Sequence, residues 1–570
     1  MARTAGRRQV LSQAIEPRIG GQMGSGKFDV DFVPGISPES NGWPGPAHEV
    51  LTDAGMRIER NVPVRMRDGL KLLVDVFRPA SDLDAKQPVI LAWAPYGKHG
   101  ALHWSTWPGH EVDVSKLSKY VCFETPDPAY WAAHGFATVM ADARGTWGSE
   151  GDVTLLGPEE AEACYDLIEW IGSQPWSNGR VGMTGVSYYA AIQWRVAALR
   201  PPHLAAINPW EGFHDTYYEV ANHGGIPETH FLAQLAPLIA STHGRVEDLA
   251  TMRAKHPHYD AYWRSKVAVL EDIDVPAYVV ASWTDHGLHT RGTLEGFRRI
   301  SSPSKWLEVH GRKKWAYYYQ PDSLARQTAF FDRFLKGKEN TVTTWPQVRL
   351  EIRERANHGV VRAESEWPLG RTKYTKLHLH GSGSLSRESG ATEETIAYDA
   401  KNGRAHFDFT VPEETELTGY AKLRLWVEAR GASDLDLFVA LLKLDARGEP
   451  VPFPFFSTFD DGPAALGWLR VSARELREDA TPEQPRYTFS KKQPLAPGEI
   501  VPVEIEIWPS STLLRQGETL RLVVQGHDLK IYEEKRHHQR HDPTVNAGEH
   551  VLHLGGRYDS HLLVPVIPPK

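Results

Sequence analysis

Residues 181–191 read VGMTGVSYYAA. A short apolar run ends in Gly185-Val186-Ser187-Tyr188-Tyr189-Ala190, and a helix-prone run follows. A serine hydroxyl becomes a nucleophile when a base takes its proton. It is best presented on a cramped strand-to-helix turn that lifts it clear of the sheet. Small residues at Gly185 and Ala190 let strand and helix pass closely; the usual pattern ends in Gly, and Ala190 is nearly as small. The helix that follows would aim its first N–H groups at an incoming oxyanion. The backbone N–H of Tyr188 is therefore the expected first donor, and the chemistry is acyl transfer.

The remaining partners are sought just past strand ends, in the chain order serine, acid, histidine. Asp285 follows the strand-like VPAYVVASW and is the candidate acid, with a helix-capping aspartate as the competing reading. His310 ends the run KWLEV and is the candidate base; a satisfied strand-end histidine is its alternative. His286 and His289 stand too near Asp285 in sequence to be the usual partner, and His99, His103 and His110 precede the serine. A second oxyanion donor should come from the loop after PVILAWA, where Tyr96 offers its hydroxyl unless it is merely a packed ring. Trp93, Tyr189, Trp210 and Trp283 fall near the expected site as substrate-binding candidates, against core packing.

The elements that must hold these residues alternate. A hairpin turning at Asp68-Gly69 is followed by apolar runs at 89–93 and 136–140, an amphipathic helix from Gly157, and the serine turn. Continuous apolar runs between helices suit a parallel sheet covered on both faces. The order helix, turn, strand, sharp turn, helix is that of an α/β-hydrolase. Residues 211–272 are helix-compatible without a strand signal and read as an inserted cap. The alternation resumes at 273–344. Beyond 345, short alternating runs separated by Gly, Pro and Asp turns predict an all-β sandwich to residue 570. The division is thus a tail and irregular segment over 1–54, core over 55–210, cap over 211–272, core again over 273–344, and β domain over 345–570. Residues 1–27 carry five Lys/Arg and one acid, as a solvated tail would.

Composition narrows the function further. The 570 residues exceed one core and imply several domains. Net charge is −8 and no long basic run occurs, so nucleic acid is excluded as a partner. No apolar run reaches the ~18 residues a membrane helix needs, and the N-terminus lacks a signal-type apolar core. Two cysteines, Cys122 and Cys164, make neither a disulfide framework nor a zinc cluster. A cytoplasmic protein with no metal and no cofactor is expected.

Beyond the serine turn, the segments APYGK (94–98), DARGTWGSEG (142–151), QPWSNGRVGMTGVSYYA (174–190) and SWTDHG (282–287) carry a family resemblance, as do LAPGEIVPVEIEIWPSSTLLRQGETLRLVVQGHD (495–528) and GEHVLHLGGRYDSHLLVPVIP (548–568). Together they resemble the cocaine esterase and Xaa-Pro dipeptidyl-peptidase-like acyl esterases, a group that includes the α-amino acid ester hydrolases. The resemblance implies an α/β-hydrolase core, a helical cap and a C-terminal jelly roll. It implies ester, sometimes amide, hydrolysis through an acyl-enzyme, with Ser187 as nucleophile, Asp285 as acid, and Tyr96 and the Tyr188 amide as the oxyanion hole. It makes Asp142, Arg144 and Gly145 structural.

The chain departs from the family at one point. The family usually places its histidine in a Gly-Pro-Trp-x-His segment, and here HGRKKW (310–315) puts Lys314 at that position. His310 is preferred as the base, with another histidine, a lysine of lowered pKa or an altered site as alternatives. The expected partner is a small-molecule ester, with a homodimer left open. Two other readings stay open. One is a peptidase or acylase with the same triad, in which Glu211, Asp215 and Glu228 grip an α-amine. The other is a catalytically weak protein that holds carbohydrate or polymer on its β domain.

Overall fold

The structure is a computed structural model and describes residues 29–100, 102–533 and 537–569. The tail expected at 1–27 lies outside the described residues.

The stretch expected to be irregular to residue 54 instead ends in a strand, β1 (Glu49–Asp53); alternation beyond it gives β2 (Met56–Arg65) and β3 (Lys71–Pro79), with the β2–β3 turn at Asp68-Gly69 as expected. The apolar runs become β4 (Gln87–Ala94), β5 (Ala137–Asp142), β6 (Ser177–Val186), β7 (Leu204–Trp210), β8 (Ala277–Ser282) and β9 (Lys305–His310). Strands β4, β5 and β8 are buried along their whole length, which is why they read as unbroken apolar runs rather than alternation.

The sheet runs β1-β2-β3-β5-β4-β6-β7-β8-β9, antiparallel up to β3–β5 and parallel from β5 onward. Helices α1 (Pro158–Ser173), α2 (Tyr188–Ala197), α3 (Thr290–Arg299), α4 (Lys314–Tyr318) and α5 (Pro321–Lys336) accompany it. This is an α/β-hydrolase core.

Two expectations about organisation need correction. The parallel sheet does not stop at residue 344: β10 (Val348–Arg355) adds parallel to β9, and β11 (His358–Glu364) pairs back on it. Their alternating sequence looks like sandwich sequence because an edge hairpin is half-exposed too. The cap is not wholly helical. It holds helices Phe231–Ile239, Leu249–Lys255 and Ala261–Ser265, a π-helical turn at Tyr217–Ala221, and a two-residue strand pair, Asn222–His223 with Ile226–Pro227. Its segment Arg245–Glu247 pairs with Phe32–Pro34, drawn from the stretch expected to be irregular. Strands this short carry too few residues for alternation to register.

The C-terminal domain is a jelly-roll sandwich. One layer contains Lys373–Leu379, Thr415–Arg430, Val501–Leu514, Glu549–Leu554 and His561–Ile567. The other contains Arg404–Thr410, Asp436–Leu444, Ala465–Arg470 and Thr519–Gln525. Leu377, Leu423, Ile505 and Leu562 meet Leu437, Leu469 and Leu522 in its core.

Arg353 of β10, 1% exposed, fastens this domain to the hydrolase sheet. Its guanidinium donates to Ser511 O, Ala464 O, Ser510 Oγ and Trp283 O, the last directly before the loop that carries Asp285.

Candidate active site

Ser187 stands between β6 and α2 with φ 62° and ψ −114°, a backbone state an L-residue adopts only under constraint. Its N–H donates to Trp210 O of the neighbouring strand, which pins the turn. Gly185 has φ 142°, and a Cβ there would come within 2.5 Å of Tyr189 Cβ. Ala190, where glycine is usual, is accommodated from the other side: Gly212 lies against it, and a Cβ on Gly212 would be 2.6 Å from Ala190 Cβ. The pair exchanges which partner is the small one.

Ser187 Oγ lies 3.0 Å from Nε2 of His289. His289 Nδ1 lies 2.5 Å from Asp285 Oδ2. After β8 the chain folds into a turn in which Asp285 O accepts from the N–H groups of Leu288, His289 and Thr290. That turn brings side chains four apart onto one side, as in a helix.

The expected base, His310, is a correction. Its Nε2 is 3.1 Å from Glu211 Oε1, its Nδ1 accepts from Arg312 N–H, and its ring packs on Tyr317 with centroids 4.1 Å apart. Both ring nitrogens face groups other than Ser187 because β9 ends its register beside Ser282, which donates to the same Glu211. By sequence alone His289 stands too close to Asp285 to be expected as its partner. The spacing Asp-x-x-x-His at the mouth of a helix is the signal that could have found it.

The charges around the imidazole follow from burial. Burial opposes ionisation of Asp285, yet Lys314, 2.7 Å from Oδ2, and His289 hold its carboxyl below the usual range. Burial, and then the Lys314 charge, lower the pKa of His289 against the pull of Asp285, so the ring is neutral and its Nε2 can accept a proton. Lys314 itself is no base. Burial would lower its pKa, but Asp285, Glu211 and Glu124 together raise it.

Tyr96 is buried, and its phenol is turned toward the Ser187 hydroxyl. Burial raises its pKa well above the usual value, with Glu124 adding to the rise, so it remains a proton donor. Phe123, Tyr188 and Tyr189 pack around its ring at 5.6–6.1 Å. The loop beneath is braced by Asp142, which accepts from Lys98 N–H at 3.0 Å and from Lys98 Nζ at 2.5 Å. Tyr188 opens α2, so its backbone N–H is one of the unpaired donors of a helix start. Its side chain turns away to Glu160.

Of the expected substrate-binding aromatics, Tyr189 lies beside Tyr96 and the three tryptophans do not serve the pocket. Trp93 donates to Glu160 behind α1, Trp210 donates to Asn208 and packs on Tyr318, and Trp283 donates to Glu351 O and packs on Trp367. All three are at most 1% exposed. Each sits near the site in sequence because strand ends converge there, and each points into the core.

Comparison with known proteins agrees with this architecture. Residues 68–253 match the family model described as X-Pro dipeptidyl-peptidase (S15 family), and residues 340–563 match that of the X-Pro dipeptidyl-peptidase C-terminal non-catalytic domain. The cocaine esterase of Rhodococcus sp. (strain MB1 Bresler) is 25% identical over 91% of this chain and 100% of its own. A Xaa-Pro dipeptidyl-peptidase of Streptococcus pneumoniae (strain P1031) is 22% identical over 70% of this chain and 61% of its own. A crystal structure of a CocE/NonD family hydrolase from Staphylococcus aureus superposes with a TM-score of 0.88 at 39% identity, covering 92% of this chain and 96% of that one. On its fold, its two family matches and that shared length, the chain belongs to the CocE/NonD family of serine hydrolases.

Proposed function

We propose that the protein hydrolyses carboxylic esters through an acyl-enzyme on Ser187, with His289 as the base and Asp285 as the acid. The observation that carries this reading is the continuous relay Ser187 Oγ–His289 Nε2 at 3.0 Å and His289 Nδ1–Asp285 Oδ2 at 2.5 Å on a strained strand-to-helix turn. His289 takes the Ser187 proton as the hydroxyl oxygen bonds to the ester carbonyl carbon. Tyr96 Oη–H and the Tyr188 N–H donate to the oxygen that becomes negative. Asp285 holds the imidazole with Nδ1 protonated and stabilises the imidazolium. That imidazolium returns its proton to the leaving alcohol, and a water activated by the same ring releases the acid.

Ester rather than dipeptide chemistry is supported by what the cap carboxylates do. Glu211 accepts from Ser282, Asp215 from Tyr259 and two backbone N–H groups, and Glu228 from four backbone N–H groups. Asp215 and Glu228 are thus engaged within the cap, and Glu211 Oε1 faces His310 Nε2 at 3.1 Å rather than a free cavity. The reading as a binding protein drew on Lys314 where a histidine is usual, and a base supplied by His289 removes that support. Two buried free thiols, Cys122 and Cys164, fit the cytoplasm, and no helix among the described residues is long and apolar enough to cross a membrane.

The test compares p-nitrophenyl butyrate with Ala-Pro p-nitroanilide, for wild type and Ser187→Ala. Fast ester turnover that vanishes in the variant, with slow anilide turnover, is expected. Preference for the anilide would replace the esterase by a peptidase, and equal rates in the two proteins would remove Ser187 from the chemistry.

A further inference from the structure

Asp285 offers its Oδ2 to two donors at once. His289 Nδ1 lies at 2.5 Å and Lys314 Nζ at 2.7 Å, and the ammonium is 3.1 Å from the ring nitrogen itself. Asp285 Oδ1 has no hydrogen-bond partner among the described residues. The Lys314 side chain is 5% exposed, so its charge acts with little screening by solvent. An ammonium in this place does more than neutralise a buried acid. It fixes the rotation of the carboxylate through the same oxygen the imidazole uses, and it sets a positive charge against a ring that must become positive during catalysis.

The other groups facing the pair offset that charge at the ring only in part. Phe213 stacks on His289 at 6.0 Å, and Ser187 occupies Nε2. Glu211 accepts from Ser282 and faces His310, and its charge opposes that of Lys314 at the ring without overcoming it. Glu124 faces Lys314 and donates nothing to His289. Its carboxyl accepts from Trp315 Nε1, and burial raises its pKa to about 8, which weakens its charge near neutral pH. Tyr96 stays protonated.

We propose that Lys314 is a positioning residue for the general base. By sharing Asp285 Oδ2 it keeps the imidazole in the tautomer that turns the Nε2 lone pair to Ser187, and by its charge it keeps the ring unprotonated into mildly acidic solution. If Nδ1 lost its proton, Lys314 could donate to it instead, and Nε2 would then present a proton to Ser187. The 2.5 Å contact to Asp285 excludes that arrangement while the carboxylate is held in place. The proposal rests on His289 as the base.

The experiment is the pH profile of kcat/KM for a neutral p-nitrophenyl ester in wild type, Lys314→Met and Lys314→Arg. Removing a cation in contact with the ring moves the acid limb of the Lys314→Met profile to higher pH by about one unit or more. Lys314→Arg keeps the charge and leaves the limb where the wild type has it. Should Lys314→Met fail to fold, Lys314→Gln retains an N–H for Asp285 without the charge and is expected to show the same displacement. A merely structural lysine would lower the rate evenly across pH and leave the limb in place; that outcome, or an equal displacement in Lys314→Arg, overturns the proposal. Failure of the triad reading is separately visible, because His289→Gln would then retain the wild-type rate.

Discussion

Ser187 is held in a backbone conformation that costs an L-residue about 1–3 kcal/mol, and the cost is local to the one residue whose oxygen must project. Two histidines compete for the role of its base, and the hydrogen-bond geometry separates them. His289 presents Nε2 to the serine and Nδ1 to a carboxylate, which is the arrangement that lets a ring accept a proton on one side and keep one on the other. His310 presents Nε2 toward Glu211 and Nδ1 to a backbone N–H, an arrangement suited to holding the end of β9. In the proposed mechanism Lys314 completes the first group by its charge, and Tyr96 and the Tyr188 amide supply donors for the oxyanion. The proposed chemistry therefore falls on five side chains and one amide, drawn from the ends of β4, β6 and β8 and from the start of α4.

At the scale of elements, the turn after β6 depends on contacts between small residues. Gly212 yields the space that Ala190 fills, so Gly212→Ala should drive the two methyl groups together at 2.6 Å and lower stability by about 1–3 kcal/mol. Ala190→Gly should be tolerated within about 1 kcal/mol, the cost of a glycine near a helix start. Thermal melts of the two variants check this, and equal destabilisation would mean that the turn is not held by this contact. Much of this architecture was legible. The hairpin, the buried strands and the serine turn declare themselves through composition, because each is fixed by its own residues. Ser187 and Asp285 could be proposed from sequence because each stands just past a short apolar run that the structure makes the end of a strand. His289 was not legible in that way. A search for the base on a separate strand overlooks a turn that carries acid and base together, and that turn is closed by backbone bonds to Asp285 O that no side chain advertises. The hairpin β10–β11 was misplaced because alternation reports half-burial, not which sheet buries it. The three tryptophans were misread for a related reason: sequence places them at strand ends but does not say to which face they turn.

The whole molecule holds the site from two sides. The cap supplies Phe213 against His289, and the jelly roll grips the acid-base loop through Phe456 N–H to Thr284 O and His286 Nε2 to Pro509 O, while Arg353 of β10 ties Trp283 O to the jelly roll's Ala464 and Ser511 carbonyls. A domain described as non-catalytic in relatives thus fixes the segment that carries Asp285 and His289 in this chain. Burial on this scale also sets how stability responds to acid. His223, His286 and His550 are held neutral, with pKa values lowered chiefly by burial to about 3, about 4 and about 4. In the unfolded chain they take protons near pH 6.5. The folded state therefore binds fewer protons, and their contribution is complete above about pH 6.5 and is lost as pH falls toward 4. The unfolding midpoint should drop steadily from pH 7 to pH 4.5, and His286→Gln should flatten part of that slope. A midpoint that stays level over this range would contradict the burial of these rings.

In the mechanism proposed here one serine is acylated with help from one histidine. The most direct measurement is the rate of fluorophosphonate labelling, with the modified residue mapped by peptide mass spectrometry, in wild type, His289→Gln and His310→Gln. The account predicts a single adduct on Ser187, formed at least about 10³-fold more slowly in His289→Gln and within about tenfold of wild type in His310→Gln. An adduct on another residue, or a loss of labelling confined to His310→Gln, would contradict it.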